Sequence, residues 1–260
     1  MTPAAKPLKT GRIAGPLDTV VLVGASAALW ALAARWVGPQ VLTGPVDTIG
    51  YLGGLFADPE FRASVWETTR AFSLALAIAW ASGLAIGMML GAHRLTGEVA
   101  EPILTALYSI PKITLYPVIL LFFGLGMPAR VAFGAIHGIV PVALFTMAAV
   151  RGVRPVYFRT ARSLRLGPLA TARHIILPAC LPGIVSGLRV GFSLTLLGTL
   201  IGEMFASQRG LGHMVIRAME TNDVRLLIAL ALFLVTVATG AGALLLAVDR
   251  RVARLGAGRG

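Results

Sequence analysis

The chain has 260 residues, of which 57% are hydrophobic and only 13% are charged. A soluble domain has roughly 25% charged residues, so this composition excludes an ordinary soluble protein and indicates an integral membrane protein. The formal net charge is +12, but the arginines cluster beside apolar segments. That arrangement is typical of cytoplasmic loops and anionic lipid headgroups, and it argues against nucleic-acid binding. The single cysteine, Cys180, excludes an internal disulfide and a cysteine-based metal cluster.

An all-α fold with about six membrane spans is predicted, because a bilayer needs roughly 20 apolar helical residues per crossing. The segments are Leu17–Val37, Phe72–Gly91, Ile103–Leu125, Val131–Val150, Leu181–Met204 and Leu226–Val248. The third is interrupted at Pro111, Lys112 and Pro117. The first is long enough to stay in the membrane as an anchor, and we do not expect a cleaved signal peptide.

The positions of Lys and Arg predict that both termini are cytoplasmic. Basic residues are concentrated in the N-terminal tail (1–16), the C-terminal tail (251–260) and the loop between the fourth and fifth spans (151–178). Residues 17–64 comprise the first span and an outer amphipathic segment over Val46–Phe56. Residues 65–250 then form a core of five spans, and we expect no separate soluble domain.

Glycines recur at four-residue spacing within the spans, which predicts close helix packing in lipid. Five of them follow this pattern in the fifth span, so we expect that helix to be central in the bundle. The glycines are Gly83, Gly87 and Gly91 in the second span, Gly134 and Gly138 in the fourth, and Gly183, Gly187, Gly191, Gly198 and Gly202 in the fifth.

Polar residues at membrane depth are costly and are therefore candidates for a solute path. Lys112 follows Pro111 at the break, where a discontinuous span can line a water-filled cavity. Alternatively, Lys112 extends to the cytoplasmic headgroups. Glu203 lies near the outer end of the fifth span, either at a pore exit or in an interfacial pair, and His137 is either a packing residue or a path residue. Catalytic and metal-ligand constellations are not predicted.

The connector Arg151–Pro178 is the most distinctive stretch of the chain. It carries Arg151, Arg154, Arg159, Arg162, Arg165 and Arg173 and no acidic residue. Pro155 can begin a helix whose Val156-Tyr157, Thr160-Ala161 and Leu164 recur at helical spacing, and Gly167-Pro168 can turn the chain into a second helix. We interpret it as a docking surface for another protein, with an amphipathic hairpin on anionic lipid as the alternative.

The connector resembles the cytoplasmic loop signature of ABC-importer permease subunits: Glu-Ala-Ala, three residues, Gly, nine residues, Ile, one residue, Leu-Pro. It falls on Arg159-Thr160-Ala161, Arg165, Ile175 and Leu177-Pro178 with the spacing kept throughout. Arg159 replaces the family Glu, Thr160 the first Ala, and Arg165 the Gly.

Two other stretches resemble the nitrate, sulfonate, taurine and bicarbonate-type permeases of the same family. One runs from Ser109 to Pro117 and continues over Phe123–Gly126, and it includes Pro111, Lys112 and Tyr116. The other is Gly202-Glu203-Met204 followed by Gly210-Leu211-Gly212. Together the resemblance covers about residues 65–250.

The resemblance implies a type I ABC-importer permease core in the inner membrane, acting in transport and not as an enzyme. Its implied partners are two ATPase subunits, a second copy or homologous permease, an outer solute-binding protein and the lipid bilayer. ATP and Mg would bind the ATPase, and no cofactor is expected on this chain. The ATPase-coupling residues would be Tyr157, Arg159, Thr160, Ala161, Ser163, Leu164, Arg165, Leu166 and Gly167. The candidate path residues are Pro111, Lys112, Tyr116, His137 and Glu203.

The solute implied by the resemblance is a nitrate-, sulfonate- or taurine-like anion or a heterocyclic vitamin precursor. A competing interpretation is an ion-coupled carrier or channel that acts without an ATPase, although such single-chain carriers usually contain internal repeats, and none is found here. A lipid-modifying membrane enzyme is disfavoured because the spans lack paired acids and histidine clusters.

Overall fold

The structure is a computed structural model that describes residues 16–257, without the side chains at 16, 158, 168–169, 172, 206, 248 and 252–257. The described chain is helical throughout. Five helices are long and apolar enough to cross a membrane, and a bent helix pair makes a sixth if it counts as one span. The predicted tails fall outside the described residues up to residue 15 and from residue 258.

Five of the six predicted segments fall within single helices, and the third, Ile103–Leu125, spans the break between α4 and α5. In chain order the helices are α1 (Pro16–Val37), α2 (Pro45–Leu55), α3 (Pro59–Ala92), α4 (Arg94–Ser109), α5 (Tyr116–Phe123), α6 (Met127–Arg151), α7 (Pro155–Ser163), α8 (Pro168–Thr171), α9 (Leu177–Ala206), α10 (Leu211–Glu220) and α11 (Val224–Ala257). A 3₁₀ turn over Lys112–Leu115 precedes α5, and a π-helical turn over Ala172–Ile176 precedes α9.

Proline at the first or second helical position begins several of these helices, where its missing N–H costs nothing. In α3 the N-cap residue Asp58 adds a side-chain bond, accepting from the backbone N–H of Glu60 at 2.9 Å. The outer amphipathic segment predicted at Val46–Phe56 is α2. The loop prediction at Pro155 and Gly167-Pro168 matches the first residues of α7 and α8.

Helix α6 is the centre of the bundle, packed between α3 and α9. In its most apolar stretch 56% of the residues are buried, against 22% for α9. The prediction of tight glycine packing is therefore confirmed, but the expectation that the fifth span is central is wrong. Most of the predicted glycines of α3 and α9 lie against side chains of α6, whereas Gly134 and Gly138 of α6 lie against threonines of α9 and alanines of α3.

The close approach is measurable at individual glycines. A methyl group placed on Gly83 would lie 2.6 Å from Val142 Cβ, and one on Gly187 would lie 2.6 Å from Phe145 Cβ. Both distances are too short for a carbon–carbon contact, so larger residues would push the helices apart. The three-helix packing of α3, α6 and α9 forms the frame on which the candidate sites are built.

An apolar cluster joins α2, α3, α10 and α11 at one end of the bundle. Phe61 and Leu230 are fully buried in it. The Phe61 ring makes edge-to-face contacts with Phe56 and Phe233, each at a centroid distance of 5.4 Å. Helix α1 lies apart with most of its surface exposed, joined to the α2 region by a bond from Trp30 Nε1 to Thr43 O of 3.0 Å.

Candidate functional site

The third span is broken between α4 and α5, where the two halves meet at an angle of 84°. Pro111 follows the end of α4, and Lys112 begins the 3₁₀ turn. Lys112 Nζ donates to Tyr108 O at 3.0 Å and lies 5.1 Å from the Tyr108 ring centroid. The ammonium group therefore satisfies a carbonyl that the helix end leaves without an intrahelical partner, and it remains partly exposed.

Tyr116 and His137 hold α5 and α9 against α6. The Tyr116 hydroxyl donates to Gly202 O at 2.9 Å, and its ring packs edge-to-face on Phe133. His137 Nδ1 lies 2.8 Å from Phe133 O, and its ring abuts Gly198. Both side chains are buried within the chain. Their part in a solute path stays a prediction, and their observed contacts are those of packing residues.

Glu203 is completely buried near the C-terminal end of α9, in a polar cluster that we call the Glu203 network. Glu203 Oε2 accepts from Thr68 Oγ1 at 2.8 Å and from the backbone N–H of Gly212 at 3.0 Å. Arg130 Nη1 lies 3.5 Å from Glu203 Oε1, and its other terminal nitrogen lies 3.4 Å from Glu67 Oε2. A buried carboxylate is thereby paired with both a cation and hydrogen-bond donors.

The Gly210-Leu211-Gly212 stretch folds directly over the Glu203 carboxylate. Gly210 has φ +114°, and a methyl group there would lie 2.5 Å from Glu203 Cδ. The Leu211 N–H donates to Thr68 Oγ1 at 2.8 Å. The two stretches that carried the family resemblance, around Glu203 and around Gly210, are thus a single packed unit that ties α10 to α3, α6 and α9.

Sequence reasoning missed Thr68, Glu67 and Arg130 as members of this network. Arg130 lies in the first turn of α6, one residue before the predicted fourth span. Its position one residue before an apolar run was the available signal, because an arginine at that depth needs a partner.

A cavity of about 580 Å³, open on one side to the surface of the chain, lies between α4, α9 and α11. Tyr108, Arg189, Ser193 and Thr239 contribute polar groups to an otherwise apolar lining. Arg189 Nε lies 3.9 Å from Asp249 Oδ2 of α11. The cavity adjoins the break in the third span, so Lys112 and this cavity belong to one region of the bundle.

The connector between α6 and α9 forms α7 and a return segment, and one side of α7 faces the bundle. Tyr157 packs against a buried cluster of Val153, Cys180 and Ile184, and Ala161 is only 3% exposed. Of the predicted coupling residues, Tyr157 and Leu166 are half-buried, and Ala161 faces inward. The exposed ones are Arg159, Thr160, Ser163, Leu164, Arg165 and Gly167.

Helix α7 ends in a Schellman motif. The Leu166 N–H donates to Ala161 O and the Arg165 N–H donates to Arg162 O, both at 3.0 Å, while Arg165 itself has φ +50°. That left-handed position is where helices usually place glycine. Arg165 aligns with the glycine of the family signature, so the structure supplies a physical reason for that glycine and fixes the frame of the alignment.

Residues 83–254 match the family model of the binding-protein-dependent transport system inner membrane component. The chain belongs to this family. Over 177 residues it is 29% identical to a probable ABC transporter permease protein of Haemophilus influenzae, covering 66% of this chain and 72% of that protein. It is 28% identical over 197 residues to the taurine transport system permease protein of Escherichia coli, covering 74% and 72% of the two chains.

Solved structures show the same fold. A chain of an amino acid ABC transporter crystallised with histidines superposes with a TM-score of 0.61 at 23% identity, covering 77% of this chain and 97% of that one. The inward-facing MetNI methionine ABC transporter gives a TM-score of 0.58 at 20% identity, covering 74% and 94%. The predicted type I permease core is therefore confirmed.

Proposed function

We propose that this chain is the permease subunit of an ATP-driven importer and forms the translocation path together with a second copy or a homologous permease. Two ATPase subunits act on its cytoplasmic side, and a solute-binding protein delivers cargo outside. Both termini face the cytoplasm of a cell whose inner membrane holds the assembly. ATP and Mg bind the partner ATPase.

The observation that carries this proposal is that α7 packs on the bundle with one side and exposes the other. In this nine-residue helix Tyr157 packs against Val153, Cys180 and Ile184 and Ala161 is buried, while the opposite side is exposed. Through Cys180 and Ile184, a push on α7 would reach α9. An autonomous carrier has no need for such an element.

The cargo is a small solute of the type named for the relatives. Sulfonate, taurine, formylaminopyrimidine, nitrate and bicarbonate permeases all match the chain. We propose a small anion or a pyrimidine-like heterocycle, selected mainly by the binding protein. Lys112 and the neighbouring cavity are the places where the permease itself can contact the solute.

Reconstitution tests the proposal. Proteoliposomes containing the permease and its ATPase, with binding protein and radiolabelled taurine, nitrate or formylaminopyrimidine in turn, should show uptake that needs ATP on the ATPase side. Uptake by the permease alone, driven by an ion gradient, would favour the carrier interpretation. A cysteine substituted at Arg162 should react with an impermeant maleimide only from the cytoplasmic side; reaction from outside would reverse the proposed topology.

A further inference from the structure

The exposed side of α7, which we call the outer face, is formed by Val156, Arg159, Thr160 and Ser163. At 3.6 residues per turn, Arg159 points about 160° away from the buried Ala161. Thr160 and Ser163 are small and permit close approach, and Val156 adds exposed apolar surface. The outer face is therefore a narrow contact surface with a single cation at its middle.

The arginines of the connector fall into two groups. Arg151 pairs with Glu101, and Arg154 donates to the Tyr157 hydroxyl at 2.9 Å and lies over its ring. These two arginines therefore have partners within the chain. Arg159, Arg162 and Arg165 are exposed and have no carboxylate partner among the described residues. Three adjacent cations are thus free to meet a partner.

At the first position of the family signature this chain carries a positive charge, Arg159, where the signature carries a negative one. The frame is secure, because the left-handed Arg165 occupies the signature glycine and Ala161 matches directly. Arg159 consequently stands where the signature has a glutamate. A groove built to receive a glutamate would repel Arg159, since like charges placed together at an interface cost several kcal/mol.

We propose that the ATPase groove that receives α7 in this transporter is acidic, and that at least one Asp or Glu of the ATPase pairs with Arg159. Arg162 and Arg165 extend the positive surface along the rim of the contact. The inference rests on the proposed function, because it names the chemistry of the partner at the same coupling site. It also makes the permease selective against ATPases whose grooves are basic.

The direction in which the outer face points indicates that it binds a protein and not the bilayer. The side of α7 with Tyr157 and Ala161 faces the ends of the membrane helices, so the outer face points away from them. An exposed apolar valine between small polar residues suits a protein groove better than hydrated headgroups. Arg173 is exposed in the return segment outside α7. It has the same charge but does not lie on the outer face, so it is the natural control.

The test measures binding of the fluorescently labelled ATPase that copurifies with the permease, using full-length permease in nanodiscs made of neutral lipid alone. Arg159→Glu should weaken binding at least ten-fold, Arg159→Gln by less, and Arg173→Glu by no more than about two-fold. Replacing one acidic residue of the ATPase groove with Lys should restore binding to Arg159→Glu and weaken binding to the wild type. Thermal melting of each permease variant controls for folding.

The outcomes separate the two proposals. No ATPase binding by the wild type, together with uptake that needs no ATP, would refute the proposed function. Normal binding by the wild type with an undiminished Arg159→Glu variant would refute the acidic groove alone. An equal loss for Arg159→Glu and Arg173→Glu, present only when anionic lipid is added to the nanodiscs, would show that the connector contacts the bilayer.

Discussion

Replacing Arg165 with glycine should stabilise the end of α7. A non-glycine residue in the left-handed region costs about 1–2 kcal/mol, and Arg165 has φ +50°. Glycine removes that cost but loses about 0.5–1 kcal/mol through its greater freedom in the unfolded chain. The net gain is therefore about 0.5–1 kcal/mol, in a motif that now depends on an unfavourable residue.

Hydrogen exchange at the Leu166 amide reports this gain directly, because that N–H donates to Ala161 O within the motif. A gain of about 0.5–1 kcal/mol corresponds to exchange slowed about two- to five-fold if opening is local. Arg165→Ala is the matched control: it removes the same charge but keeps the Cβ, so it should give little protection. Equal protection by alanine and glycine would show that charge, not backbone conformation, is responsible.

The chain contains an internal comparison for this reasoning. Helix α10 ends in the same motif, with the Asp223 N–H donating to Ala218 O at 2.9 Å and Asn222 at φ +52°. Asparagine tolerates the left-handed region better than most residues. Asn222→Gly should therefore change exchange at Asp223 less than Arg165→Gly changes it at Leu166.

Three other substitutions test the packing and the sites. Gly187→Leu should sharply reduce the yield of folded protein on size-exclusion chromatography, because Phe145 occupies the space beside Gly187. Gly240→Leu is the control and should not reduce the yield, because the space around Gly240 is open. Equal yields would contradict the close packing. Glu203→Ala should lower stability by about 1–3 kcal/mol, since Arg130 loses one of its two carboxylates and the Gly212 N–H loses its acceptor. Melting like that of the wild type would refute the network. Lys112→Ala should slow solute uptake in proteoliposomes without loss of ATPase binding, and unchanged uptake would leave Lys112 with only its role at the end of α4.

The elements that the sequence predicted best are those that begin or break at proline and glycine. Pro111 predicted the break in the third span, and Pro155 and Gly167-Pro168 predicted the first residues of α7 and α8. These residues restrict the backbone by themselves, so their effect does not depend on the rest of the fold.

The centre of the bundle and the Glu203 network were beyond this kind of reasoning. Glycine spacing marks helices that accept close neighbours, but it does not tell which helix is enclosed on two sides; here Val142 and Phe145 of α6 fill the space above glycines of both α3 and α9. Arg130 and Thr68 meet Glu203 only because three separate helices converge. Likewise, the inward orientation of Ala161 follows from how α7 packs, which its sequence left open.

Cross-linking from the outer face of α7 tests the central claim most directly. The native Cys180 is buried, so a cysteine at Ser163 can be modified selectively with a photoactivatable cross-linker in the assembled transporter. The proposed function predicts a cross-link to the ATPase subunit that changes on ATP binding, with no cross-link from a cysteine placed on the lipid-exposed surface of α1. Cross-linking only to lipid, in a transporter that still imports its solute, would contradict coupling through α7.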